Sequence, residues 1–256
     1  MDEAVMGSTR SVDDGAVRAL RVLVSPESLA EAHAAIAGGA HIVDVKNTRE
    51  GSLGANFPWI IREIADAGER AGVLVSATLG DLPFAPGTAA LAAVGAVVNG
   101  ARYVKAGLHG VRTAAEAVEV MTAVRRACKE HDPTITAVAA GYADYRRFDG
   151  LSPDAVVAAA ARARCDVVML DTAFKDGPGL FDALTATELD TFVTSAHAAG
   201  LQVALAGAIG FDHVAALRTL GVDIIGVRGC VCHNGDRGTA IDADRVRQLV
   251  RVCVGG

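Results

Sequence analysis

An eightfold alternation constrains this chain more than any other feature. Short apolar, β-branched runs occur at residues 19–24, 41–46, 73–78, 101–106, 134–140, 166–170, 202–206 and 223–227. Each is nearly continuous in apolar residues, the pattern of a strand buried on both faces of a parallel sheet. Between them lie longer, Ala-rich segments of helical character at residues 28–37, 58–71, 88–99, 113–130, 153–164, 187–199, 211–220 and 242–252. Ser28, Ser152 and Asp242 stand where N-caps are needed, and Gly38, Gly72, Gly100, Gly200 and Gly221 follow helix ends. Eight strand–helix units with no linker between them predict a single domain, a (β/α)8 TIM barrel. A doubly wound open sheet is the alternative. It normally carries a Gly-rich phosphate fingerprint after its first strand, and Val24-Ser25-Pro26-Glu27-Ser28 has none.

Composition narrows the function classes. With 51% hydrophobic but only 4% aromatic residues, the 256-residue chain needs a core of many small contacts, Ala-faced helices on Val/Ile strands. The net charge of −6 lacks the basic footprint of nucleic-acid binding. No apolar run reaches the roughly 18 residues of a membrane span. Residues 1–18, acidic and polar with Gly7, Ser8 and Gly15, lack the features of a secretory signal. They read as a mobile extension, with residues 19–256 as the catalytic barrel. Five scattered cysteines, Cys128, Cys165, Cys230, Cys232 and Cys253, suit a reducing cytoplasm better than a disulfide framework. Acidic, Ala-rich outer helices are compatible with a homo-oligomer but fix no symmetry.

In such a barrel the chemistry belongs at the C-terminal strand ends. The second strand ends Asp44-Val45-Lys46, which places a carboxylate and an amine on one face. Burying both is costly unless they pair or react. A buried ion pair closing the mouth is the plain alternative. The fourth strand contributes Lys105. Burial and a second ammonium nearby both lower a lysine pKa, and a neutral lysine attacks carbonyls to form a Schiff base. The sixth strand ends at Asp171, with Lys175 four residues on, either a loop ion pair or part of the site. Asp81, after the third strand, reads equally as a loop cap or a site residue. Turns at Gly207 and at Arg228-Gly229 follow the last two strands, the usual phosphate position of barrels, with Arg228 as a bidentate clamp.

Two further segments are ambiguous. Cys230-Val231-Cys232-His233 resembles a soft-metal cluster but has no partner group at metal spacing, so no metal is expected. It leaves open a non-catalytic metal- or copper-handling barrel, a reading that would not explain the lysines. The segment Gly51 to Trp59 reads as a long loop over the mouth, a lid or a structural element. Several lysines, carboxylates and a phosphate cradle together suggest imine-type carbon–carbon chemistry on a phosphorylated carbonyl compound.

Several stretches are similar to a known family. They are Leu23-Val24-Ser25-Pro26, Ile42-Val43-Asp44-Val45-Lys46-Asn47, Glu50 through Trp59, Val75 through Asp81, Tyr103-Val104-Lys105, Ala139 through Asp144, Met169 through Ala173 and Gly226-Val227-Arg228-Gly229. Over about residues 20 to 253 the chain resembles the (5-formylfuran-3-yl)methyl phosphate synthases of methanofuran biosynthesis. The resemblance implies a TIM-barrel lyase that joins two glyceraldehyde 3-phosphate molecules without a cofactor. One isomerises to a dihydroxyacetone phosphate form; aldol condensation, loss of one phosphate, dehydration and cyclisation follow. It also implies that Lys46 is the Schiff-base lysine and Lys105 the proton-transferring one, supported by Asp44, Asp171 and Lys175. The chain departs from the family pattern at Ala71-Gly72-Val73 and at Cys230 through Asn234. A class I aldolase acting on another triose or pentose phosphate is the alternative reading.

Overall fold

Eight parallel strands close on themselves in sequence order. They are β1 (Arg21–Val24), β2 (Ile42–Val45), β3 (Leu74–Thr78), β4 (Tyr103–Gly107), β5 (Thr136–Tyr142), β6 (Val167–Asp171), β7 (Gln202–Ala206) and β8 (Ile224–Val227). These come from a computed structural model that describes residues 19–255; the expected N-terminal extension, residues 1–18, lies outside them. The ring closes where β1 meets β8, with Leu23 opposite Gly226 and Val24 opposite Val227. All eight strands fall within the runs expected from sequence or extend them by up to two residues.

The helices are α1 (Leu29–Ala37), α2 (Pro58–Ala71), α3 (Pro86–Val98), α4 (Ala114–His131), α5 (Pro153–Arg162), α6 (Leu180–Ala183), α7 (Ala186–Ala198), α8 (Val214–Thr219) and α9 (Ala243–Val254). The three expected N-caps do accept backbone N–H groups: Ser28 from Glu31, Ser152 from Ala155, and Asp242 from Asp244 and Arg245. Thr113 and Thr185 add full capping boxes with Glu116 and Glu188. Gly72 ends α2 in the left-handed conformation, φ 69°. Gly38 is different: its φ is −76°, and the left-handed residue is Gly39. Gly38 is required by packing, because a Cβ there would lie 2.4 Å from Val246 Cβ on α9.

Three expectations shift. The third helix begins two residues early, at Pro86, whose fixed φ suits a first helical position. The stretch from Phe211 starts as a 3₁₀ turn and becomes α8 only at Val214. Leu180–Ala183 forms a one-turn helix that four residues of apolar pattern are too short to announce.

Two apolar regions result. The larger packs the outward strand faces against the helices. The smaller fills the barrel interior with Leu23, Ile42, Tyr103, Val138, Tyr142, Val167, Met169 and Ile224. Near its top the interior residues become small, Ala206 and Gly226, and leave room for a cavity.

Candidate active site

The strand periodicity of two aims Asp44 and Lys46 inward, and likewise Lys105 and Asp171 at the ends of β4 and β6. All four are buried. Asp44, Lys46 and Asp171 line a cavity of about 400 Å³ with Lys175, Thr172 and Ser25. Its wall comes from β1, β2, β6, β7, β8 and the loops that follow them.

Asp44 and Lys46 share a strand, yet the ion pair of Asp44 runs elsewhere. Its Oδ2 lies 2.8 Å from Lys105 Nζ and accepts a 3.1 Å hydrogen bond from Ser25 Oγ. Its Oδ1 is buried and without a partner among the described residues. Burial alone would raise this carboxyl, but Lys105 and Lys46 outweigh it and hold Asp44 below the usual carboxylate value.

Lys46 makes no amine hydrogen bond or ion pair within 4 Å among the described residues. Burial brings it down from the ordinary 10.5 to about 8; Asp171 and Asp44 oppose that fall, and Lys105 and Lys175 assist it. A minority of Lys46 is therefore a free amine near neutrality, facing the cavity.

Asp171 holds Lys175 at 2.6 Å and accepts the Thr172 backbone N–H at 2.8 Å. Burial pushes its carboxyl up, but Lys175 and Lys46 bring it down to about 2. Lys175 Nζ also donates to Thr172 Oγ1 at 3.0 Å and is a quarter exposed, so it reaches both Asp171 and the cavity. The loop pair considered from sequence is present, and it lines the site.

Gly207 and Gly229 both border the cavity. At Gly207, φ is 109° and a Cβ would crowd Thr172 at 2.9 Å, so glycine alone fits. Arg228 reaches the same wall, but its guanidinium is turned toward α1. It donates to both Glu31 oxygens, at 2.7 and 3.1 Å, and lies 3.3 Å from Glu27. Burial opposes both charges, yet Arg228 still draws Glu31 below the usual carboxylate value. The bidentate geometry expected for a substrate oxyanion is thus spent on a carboxylate, and only Nε is left unpaired.

The 51–59 segment crosses the mouth. Ser52 Oγ donates to the Thr172 carbonyl at 2.8 Å, and Leu53 is wholly buried in the barrel interior. Beyond it, Asp81 accepts a hydrogen bond from the Tyr142 hydroxyl. A Cβ on Gly107 would lie 2.0 Å from Asp81 Oδ1, so this carboxylate passes directly over the end of β4. Burial and the nearby carboxylates of Asp81, Asp171 and Asp144 push the Tyr142 phenol well above its usual value. Asp81 therefore ties the loop after β3 to the end of β5. Sequence reasoning missed Ser25, Thr172 and Tyr142; the position of each at a strand end was the available signal.

The cysteine motif offers little to a metal. Burial raises the Cys230 thiol to about 12 and the Cys232 thiol above its usual value. The Cys232 Sγ donates to the Arg228 carbonyl, and His233 faces Asp242. Among the described residues no three His, Cys, Asp or Glu side chains converge on a metal position.

Solved structures share this architecture. Thiamine phosphate pyrophosphorylase from Pyrococcus furiosus superposes with a TM-score of 0.60 at 18% identity, covering 93% of this chain and 99% of that one. Deoxyribose phosphate aldolase from Aeropyrum pernix gives 0.61 at 16% identity, covering 92% and 89%. At such identities they show the fold alone. Sequence comparison goes further. A (5-formylfuran-3-yl)methyl phosphate synthase from Archaeoglobus fulgidus is 52% identical over 92% of this chain and all of its own length. One from Methanocaldococcus jannaschii is 51% identical over 91% of this chain and 99% of its own. The family model described as 4-HFC-P synthase matches residues 22–250. The chain is an enzyme that belongs to the 4-HFC-P synthase family.

Proposed function

We propose that this enzyme condenses two glyceraldehyde 3-phosphate molecules, through a Schiff base on Lys46, into (5-formylfuran-3-yl)methyl phosphate. The names of its relatives supply the product. The observation that carries the chemistry is Lys46: a buried, unpaired amine with a pKa near 8, facing a cavity between two carboxylates.

Neutral Lys46 attacks the carbonyl of the ketose phosphate. Asp44, within reach of both lysines electrostatically, takes and returns protons as the carbinolamine loses water. Lys105 and Asp171 move protons in isomerisation and enol formation. The second triose loses its phosphate by β-elimination, and the enol carbon so formed adds to the imine carbon. Lys46 is then expelled, and closure of the free hydroxyl onto the ketone with loss of water gives the 3,5-substituted furan. Lys175, held by Asp171, stabilises the leaving phosphate oxygen. The turns at Gly207 and at Arg228-Gly229 cradle the phosphate that stays. No step calls for a metal or an organic cofactor.

Borohydride reduction in the presence of glyceraldehyde 3-phosphate, followed by peptide mass mapping, tests the assignment. Substrate mass should appear on Lys46, and Lys46→Ala should abolish both trapping and the furan chromophore. Trapping on another lysine would overturn it. Trapping on Lys46 without a furan product would favour an aldolase acting on another sugar phosphate.

A further inference from the structure

The commitment of Arg228 to Glu31 and Glu27 leaves the phosphate end of the cavity without the guanidinium that its chemistry asks for. A second arginine stands there. Arg237 borders the same cavity, beside Gly229 and Gly235. A Cβ on Gly229 would sit 3.6 Å from the Cβ of Arg237, so the two backbones are neighbours. Arg237 makes no ion pair or hydrogen bond through its guanidinium among the described residues.

Its presentation is built. The loop after β8 folds into a closed hairpin whose ends meet at Cys232 and Ile241. His233 N–H donates to the Ala240 carbonyl at 3.0 Å, and Asp236 N–H to the His233 carbonyl at 3.0 Å. Thr239 Oγ1 donates to the carbonyls of His233 and Asp236. The Asp236 carboxylate, the nearest acid in sequence, is turned to the Gly238 N–H at 2.9 Å and leaves its neighbour's charge uncancelled. Asn234 takes the left-handed conformation, φ 54°, that asparagine accepts in tight turns. The hairpin's internal hydrogen bonds thus hold Arg237 at the rim of the cavity.

We propose that Arg237, rather than Arg228, is the residue that grips the substrate phosphate and selects phosphorylated trioses over free ones. This rests on the reading of the cavity as a triose phosphate site. Arg228, locked by Glu31, instead fixes the backbone of the β8 turn on which the phosphate rests.

Calorimetric titration with inorganic phosphate, needing no turnover, is the primary test. Losing one charge-assisted bidentate contact should weaken phosphate binding on the order of 10- to 100-fold in Arg237→Ala. In steady-state assays, KM for glyceraldehyde 3-phosphate should rise by a similar factor while kcat falls far less, and Arg237→Lys should recover part of the loss. Arg228→Lys, which keeps a charge near Glu31, serves as the comparison. The proposal is overturned if Arg237→Ala binds phosphate as the wild type does, if the wild type binds none, or if Arg228→Lys alone loses it at unchanged thermal stability. Failure of the lysine chemistry would appear instead as absent trapping on Lys46 with phosphate binding intact.

Discussion

A lysine ammonium removed from water loses hydration that its neighbours must replace. At Lys46 they do so only in part, which is why its pKa settles near 8. In the proposed mechanism imine formation needs the free amine, so kcat/KM should rise with pH and level off above an apparent pKa near 8. Lys105 is among the charges that depress it, so Lys105→Met should displace the Lys46 titration to higher pH, read from the pH dependence of its labelling by an amine-specific reagent because turnover itself uses Lys105. The depressed pKa also has a thermodynamic sign. Between about 8 and 10.5 the unfolded chain holds a proton that the native state releases, so stability rises with pH across that window. Below it the cost of a buried cation is fully present. Lys46→Met should therefore give an inactive protein that is more stable at neutral pH by about 1–3 kcal/mol, measured by denaturant titration. Asp44, Lys46, Lys105, Asp171 and Lys175 were all legible in the sequence because strand ends are few and charges inside apolar runs stand out. The pairing of Asp44 with Lys105 was not, because it passes over the intervening strand and no spacing along the chain encodes it.

At the level of elements, the sequence announced strands better than loops. A buried parallel strand is a dense apolar run, whereas a βα loop owes its path to contacts with other loops. The Ser52 crossing and the β8 hairpin belong to that second kind. Helix starts were legible where a single side chain caps them, and glycines only in part, since Gly38 answers to Val246 rather than to its own dihedral. That distinction is testable. Gly38→Ala drives a Cβ into α9 and should cost about 1–3 kcal/mol. Gly95, within α3, has nothing within 4 Å of its would-be Cβ. Gly95→Ala should instead stabilise by about 0.5–1 kcal/mol, because it lowers the entropy of the unfolded chain. Thermal melts of the two variants should move in opposite directions.

For the molecule as a whole, the ring closes where β8 meets β1, and Arg228 with Glu31 lies across that seam. Glu31→Ala leaves the buried Arg228 guanidinium only Glu27 and the Ser25 carbonyl, and should cost roughly 2–3 kcal/mol, visible as an early thermal transition. The crossing of the mouth by Ser52 and Leu53 bears on traffic. Leu53 is buried in the barrel interior, and the described cavity wall is drawn from β1, β2 and β6 to β8. In the proposed reaction this one cavity takes two trioses, and phosphate and furan leave it. A cavity that takes two copies of one triose can be filled in the wrong order, so the rate should fall again at high substrate, and Ser52→Ala, which frees the strap from Thr172, should weaken that inhibition.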